Sequence, residues 1–111
     1  MATIPRVDAA YVDRSKVNDY LLAPTHPDGR GKADFLSRFG FTLENSAALI
    51  AALVHIARNY AVVQVVESHY GTRYVVDGAL QSPDGRNPLV RKVWIVETTQ
   101  SAPRLITAYP L

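Results

Sequence analysis

The chain predicts an α+β fold, with two or three N-terminal helices packed on a four-stranded antiparallel β-meander. Three observations carry that expectation. The front half holds short stretches with apolar residues at helical spacing, and the back half holds β-branched runs bounded by turn residues. Helices first and strands after is the order of α+β domains. Strands that follow one another through short connections favour antiparallel pairing. At 111 residues, 48% of them hydrophobic, the chain fits one domain, 1–111, with enough apolar surface for one core.

Residues 1–12 read as an irregular N-terminal arm, because they show neither period. Asp13 suits the N-cap of a helix from Arg14 to Leu22, on which Val17, Tyr20 and Leu21 make an apolar i, i+3, i+4 face. Pro24 ends it. A second helix is expected from Lys32 to Phe39, with Phe35, Leu36 and Phe39 on one side and Gly40 just past its end. Thr42 or Asn45 then caps the longest helix, which reaches Asn59 and carries a broad stripe from Leu49 to Ala57 suited to lying across a sheet. Strands are expected at Tyr60–Val66, Thr72–Asp77, Leu89–Glu97 and Pro103–Tyr109. The run Gln81-Ser82-Pro83-Asp84-Gly85-Arg86-Asn87-Pro88 is a turn-rich loop between the second and third.

Composition removes several classes of function. There is no cysteine, so thiolate chemistry and disulfides are excluded. The three histidines are not closely paired, which argues against a structural zinc site; no cofactor and no metal are expected. The longest apolar-rich segment, Ala47 to Ala57, is broken by His55 and is too short to span a bilayer, so no membrane partner is expected. The N-terminus has no signal-peptide pattern, and a cytoplasmic location is the expectation. A net charge of +2 and a pI near 9.1 are compatible with nucleic acid.

One segment stands apart, Pro24-Thr25-His26-Pro27-Asp28-Gly29-Arg30-Gly31-Lys32-Ala33. Its prolines, glycines and polar side chains cannot form a core, and it places His26, Arg30 and Lys32 just ahead of a helix, where anions are favoured. The alternative is a solvated turn and a helix start.

The run Asp19-Tyr20-Leu21-Leu22, then His26-Pro27-x-Gly29-Arg30, Lys32-Ala33-x-Phe35 and Phe39-Gly40-Phe41 resembles a front end of small bacterial nuclease and toxin domains. With Tyr70-Gly71-Thr72-Arg73-Tyr74, Pro83-Asp84-Gly85-Arg86, Val93-Trp94 and Arg104 to Pro110, the chain is similar, from Lys16 to Leu111, to an uncharacterised bacterial family sharing that front end. The order of helices and a four-strand meander resembles the barnase, EndoU, colicin and RelE group of metal-independent ribonucleases. That resemblance implies a toxin of a toxin–antitoxin or toxin–immunity pair, RNA as substrate, and a small acidic antitoxin or immunity protein as partner. It also implies active residues drawn from His, Lys, Arg, Ser or Thr, and Tyr, among which a basic helix residue and a Thr-x-Tyr near the last strand recur. Lys32 and Thr107-Ala108-Tyr109 match that pattern, but a second strongly placed histidine is missing.

Cleaving RNA without a metal needs a base, an acid and donors around the phosphate. His26 is the best acid or base, since histidine titrates near neutrality. A loop histidine capping backbone is the plain alternative. A cation at Lys32 opposes the positive end of its own helix, which suggests a role beyond the local fold; pairing with Asp28 or Asp34 is the alternative. Thr107 and Tyr109 share one face of the last strand, suited to a phosphate donor and to stacking or proton transfer, or to packing the C-terminus. His26, Lys32, Thr107 and Tyr109 are therefore the catalytic candidates. Arg30, Arg73 and Arg91 are the phosphate-binding candidates, because a guanidinium grips phosphate with two bonds, although an outward solvated sheet face also explains the strand arginines. Arg104, at the start of the last strand, is a weaker case of the same kind. His55 reads as a packing residue, His69 as a turn residue, and Trp94 and Tyr74 as core. Three classes follow: a metal-independent endoribonuclease, a non-catalytic RNA- or protein-binding module on the same fold, and a phage- or secretion-associated accessory protein.

Overall fold

A computed structural model describes residues 2–23, 25–26 and 30–111, with the side chain of Arg30 left aside. Much of the polar loop before the second helix, Pro24, Pro27, Asp28 and Gly29, thus lies outside the described residues, as does the guanidinium of Arg30. The fold is α+β: three helices precede a four-stranded antiparallel sheet. Helix α1 (Arg14–Lys16) runs into a π turn (Val17–Leu21), followed by α2 (Arg30–Ser37), a 3₁₀ turn (Leu43–Asn45) and α3 (Ser46–Asn59). Strands β1 (Val62–Ser68), β2 (Gly71–Ala79), β3 (Leu89–Glu97) and β4 (Arg104–Pro110) pair in sequence order.

The sheet has two chemically different faces. Cross-strand pairs share a face, so Val76, Lys92 and Ala108 lie in one row beside the pair Trp94 and Leu105. That face meets α3, whose Leu49, Leu53 and Ile56 are fully buried. Trp94 is also fully buried and Tyr74 packs against the core from its margin, as their strand positions predict. The opposite face carries the rows Asp77–Arg91–Tyr109 and Val75–Val93–Thr107.

Three local findings differ from expectation. The N-terminal arm is not irregular packing on the surface. It contains a 3₁₀ turn (Val7–Ala9) and buries Ile4, Ala10 and Val12. It is also tied to both sheet edges, with Val62 donating to the Ala2 carbonyl, Tyr11 donating to Pro103 and Leu105 donating back to Tyr11. The apolar residues that close the core across the sheet margin are too few and too widely spaced to show a period. Asp13 occupies the N-cap position, but its carboxylate makes no capping hydrogen bond. The first helix does not stay α-helical. Leu22 donates to Val17, an i→i+5 bond, and the wider turn buries Val17 and Leu21 while leaving Tyr20 part-exposed. Elsewhere boundaries shift by a residue or two, and β3 starts and stops where its pattern predicts.

The end of α2 is fixed by the β2–β3 loop. Gly40 takes φ 97°, and a Cβ there would sit 3.0 Å from Pro83. Asp84 donates its backbone N–H to Phe39, and Arg86 lies 4.5 Å over the Phe39 ring while donating to the Arg38 carbonyl. Asp84 accepts from the backbone and side chain of Arg86 and from Ser82. Those bonds, the Arg86 backbone first, hold its carboxyl down to about 2.

Lys92 is the one buried charged residue among those described, with its ammonium donating 2.8 Å to the Val90 carbonyl. Burial pushes its pKa down to about 7, against a smaller opposing pull from Asp77. The unfolded chain, with an ordinary value of 10.5, therefore binds the extra proton between about pH 7 and 10.5. Lys92 thus makes stability rise with pH across that window and applies its full penalty below it. Replacing Lys92 with Met should raise the urea midpoint, by roughly a few kcal/mol of stability below about pH 7 and far less above about pH 10. Equal gains at both pH values would contradict this account.

Candidate active site

Tyr20 is the centre of the site. The π turn carries it off the core-facing stripe, and four groups from separate segments gather on it. The Nζ atoms of Lys16 and Lys32 each lie 5.2 Å from its ring centroid. The His26 ring meets it edge-on, with centroids 5.1 Å apart and an interplanar angle of 84°. Thr107, on edge strand β4, faces its hydroxyl. Burial pushes the Tyr20 phenol up. The Thr107 hydroxyl, the Lys32 ammonium and the charge of Lys16 together outweigh that, and hold the phenol below its ordinary value. Thr107 Oγ1 is nevertheless buried without closing a hydrogen bond. It stands near enough to the phenol to favour the phenolate.

Neither lysine has a carboxylate partner among the described residues. Asp34, one of the two alternative partners considered for Lys32, pairs with Arg38 at 2.7 Å on the exposed side of α2, and the other, Asp28, lies outside the described residues. Asp13 and Asp19 do line the groove that Lys16, Tyr20 and Arg104 share. The arrangement can bind an anion, deliver a proton from the phenol, and accept or give one at the imidazole.

The structure brings together three of the four catalytic candidates, His26, Lys32 and Thr107. Tyr109 is a neighbour rather than a member: it shares the wall of a small apolar cavity with Lys32 and reaches Arg91, its cross-strand partner. Arg91 is committed to Asp77 through two 2.8 Å hydrogen bonds, so its guanidinium is held in place on the sheet and its pKa is driven up by that carboxylate. Arg73 is not at Tyr20. It lies in a neighbouring groove with Arg104. Arg30 falls outside the description at its side chain. His55 contacts Asn59 and Gln81, in keeping with a packing role.

Sequence reasoning missed Tyr20, Lys16 and the position of Arg104. Tyr20 was assigned to the core because Val17, Tyr20 and Leu21 are spaced as an α-helical face. The signal that could have found it is Lys16, one turn before Tyr20. A cation beside an aromatic on an otherwise apolar stripe marks a boundary rather than a core. A groove between α2 and the 3₁₀ turn is lined by Leu22, Phe41, Leu43, Asp34 and Glu44, and holds no cation among its described residues. Converging titratable groups place the candidate site at Tyr20 instead. Among the described residues no three metal-ligating side chains gather, and no helix is long and apolar enough to cross a membrane.

The chain belongs to the family described as a domain of unknown function, DUF6883, which matches residues 3–111. No curated protein matches it. Its fold is similar to a chain of a contact-dependent growth inhibition toxin–immunity protein complex from Klebsiella pneumoniae 342, with a TM-score of 0.73. The match covers 94% of this chain and 95% of that one at 18% identity, which shows a shared fold.

The charge arrangement has a direct consequence. In ultraviolet titrations, subtracting Tyr20→Phe from the parent should isolate a phenol that ionises below the ordinary value of 10.0. Lys32→Met should move that ionisation upward, because a cation favouring the phenolate is gone. A Tyr20 titration unmoved by Lys32→Met would show that the ammonium does not act on it.

Proposed function

We propose that this DUF6883 domain is a metal-independent endoribonuclease and the toxic member of a pair whose other member is an acidic immunity or antitoxin protein. The observation that carries the reading is the gathering of His26, Lys16, Lys32 and Thr107 around one phenol of lowered pKa. The likeness in fold to a chain of a toxin–immunity complex supports membership of such a pair.

In this reading the RNA 2′-oxygen attacks the adjacent phosphorus as the bond to the 5′-oxygen breaks. A 2′,3′-cyclic phosphate and a 5′-hydroxyl end result. His26 takes the 2′-hydroxyl proton, and the Tyr20 hydroxyl gives its proton to the departing 5′-oxygen, which carries away the electron pair of the broken bond. A phenol of lowered pKa does this more readily than an ordinary tyrosine. Lys32 and Lys16 stabilise both the charge growing on the phosphate and the phenolate left behind. Thr107 donates to a non-bridging oxygen. Tyr109 and the fixed guanidinium of Arg91 form the sheet-side flank beyond Lys32. A cationic site of this kind suits closure by a carboxylate-rich protein surface through charge complementarity.

Purified protein incubated with RNA and excess chelator is the test. Cleavage should persist and leave cyclic phosphate ends. Tyr20→Phe and Lys32→Met should each slow it on the order of 100-fold or more with the fold retained, and Thr107→Val by roughly 10-fold or more. Expression should arrest growth, and the same substitutions should relieve the arrest. A parent protein that binds RNA without cutting it would favour the non-catalytic module; one that does neither would end the ribonuclease reading.

A further inference from the structure

Beside the Tyr20 cluster the molecule carries a second polar groove. It is lined by His69, Tyr70, Arg73, Thr98, Thr99 and Arg104. Tyr70 sits on the β1–β2 turn with 77% of its surface exposed, the most exposed of the large apolar and aromatic side chains. Its backbone is nonetheless held. Tyr70 donates 3.3 Å to the Ser68 hydroxyl, Ser68 donates 2.9 Å to the Gly71 carbonyl, and Thr98 donates 3.2 Å to the Tyr70 carbonyl. Gly71 takes φ 146°, and a Cβ there would stand 2.3 Å from the Val96 carbonyl oxygen, so the turn rests directly on β3. The result is an aromatic ring presented to solvent from a braced backbone.

Arg73 follows on β2, exposed and with no ion-pair partner among the described residues. It shares a row with Ile95 and Arg104 across β2, β3 and β4, so the two arginines stand about two interstrand spacings, or about 10 Å, apart. Arg104 is braced by Glu97 at 2.5 Å and lines both this groove and the one containing Lys16 and Tyr20. The two grooves therefore meet at Arg104. An exposed ring beside a free guanidinium suits an unstacked base and its phosphate. A paired duplex keeps its bases stacked away from such a ring.

We infer that this groove is the track for single-stranded RNA flanking the cleaved bond, with a base stacked on Tyr70 and its phosphate held by Arg73, leading past Arg104 to Tyr20. The inference rests on the ribonuclease reading and names where and in what form the substrate lies. Hydroxyls of Thr98 and Thr99 supply further donors along the groove. Glu97 offsets much of the charge of Arg104, which makes Arg104 a positioning contact and Arg73 the principal phosphate anchor.

Affinities are measured by fluorescence anisotropy in a Tyr20→Phe background, where cleavage is slowed. A short single-stranded RNA oligomer should bind about 10-fold or more weakly after Tyr70→Ala, with affinity restored by Tyr70→Trp. Arg73→Ala should weaken it and lower the salt slope by about 1. Unchanged oligomer affinity in both variants overturns the track while leaving the ribonuclease reading standing, as does duplex RNA binding as tightly as the single strand. A parent that cuts no RNA overturns the ribonuclease reading and the track with it.

Discussion

Two ammonium groups held at 5.2 Å from the same phenol ring set the character of this molecule. Like charges brought together near a surface repel, and among the described residues no carboxylate pairs with either. Attraction to the ring face and to the ring's own ionised form offsets part of that repulsion. The remaining imbalance is carried by the fold.

The scaffold explains why the imbalance survives. Lys32 is carried by α2, whose far end is anchored by the Asp84–Arg86 loop on Phe39 and Gly40. Tyr20 is carried by a π turn whose neighbours Val17 and Leu21 are fully buried. Thr107 is carried by β4, tied through Tyr11 to the N-terminal arm. Each group is thus fixed by packing at some remove from the site. A substitution at the site removes chemistry without removing a core residue, whereas Trp94, Phe41 or Leu53 holds the frame itself.

How much of this the sequence made legible depends on the distance over which each feature is decided. The β3 strand is spelled out by its own β-branched and aromatic residues, and the end of α2 by Gly40. The Asp84 loop is legible as a turn because Pro, Asp and Gly act locally. The π turn is not legible, because its apolar spacing is that of an ordinary helix and only tertiary packing chooses between them. The Asp77 grip on Arg91 depends on register between two strands, and the burial of Lys92 depends on which face α3 covers. At the site, the types His26, Lys32 and Thr107 could be proposed from chemistry and resemblance. Tyr20, the residue they surround, was hidden by its own apolar neighbours.

The most direct test of the central claim is a nuclear magnetic resonance titration of the intact protein with a guanosine monophosphate, a single phosphate-bearing nucleotide. The account predicts saturable shifts at the Tyr20 and His26 rings and the Thr107 methyl, abolished in Lys32→Met. Shifts confined to the acidic groove of Leu43 and Glu44, or none at all, would contradict it.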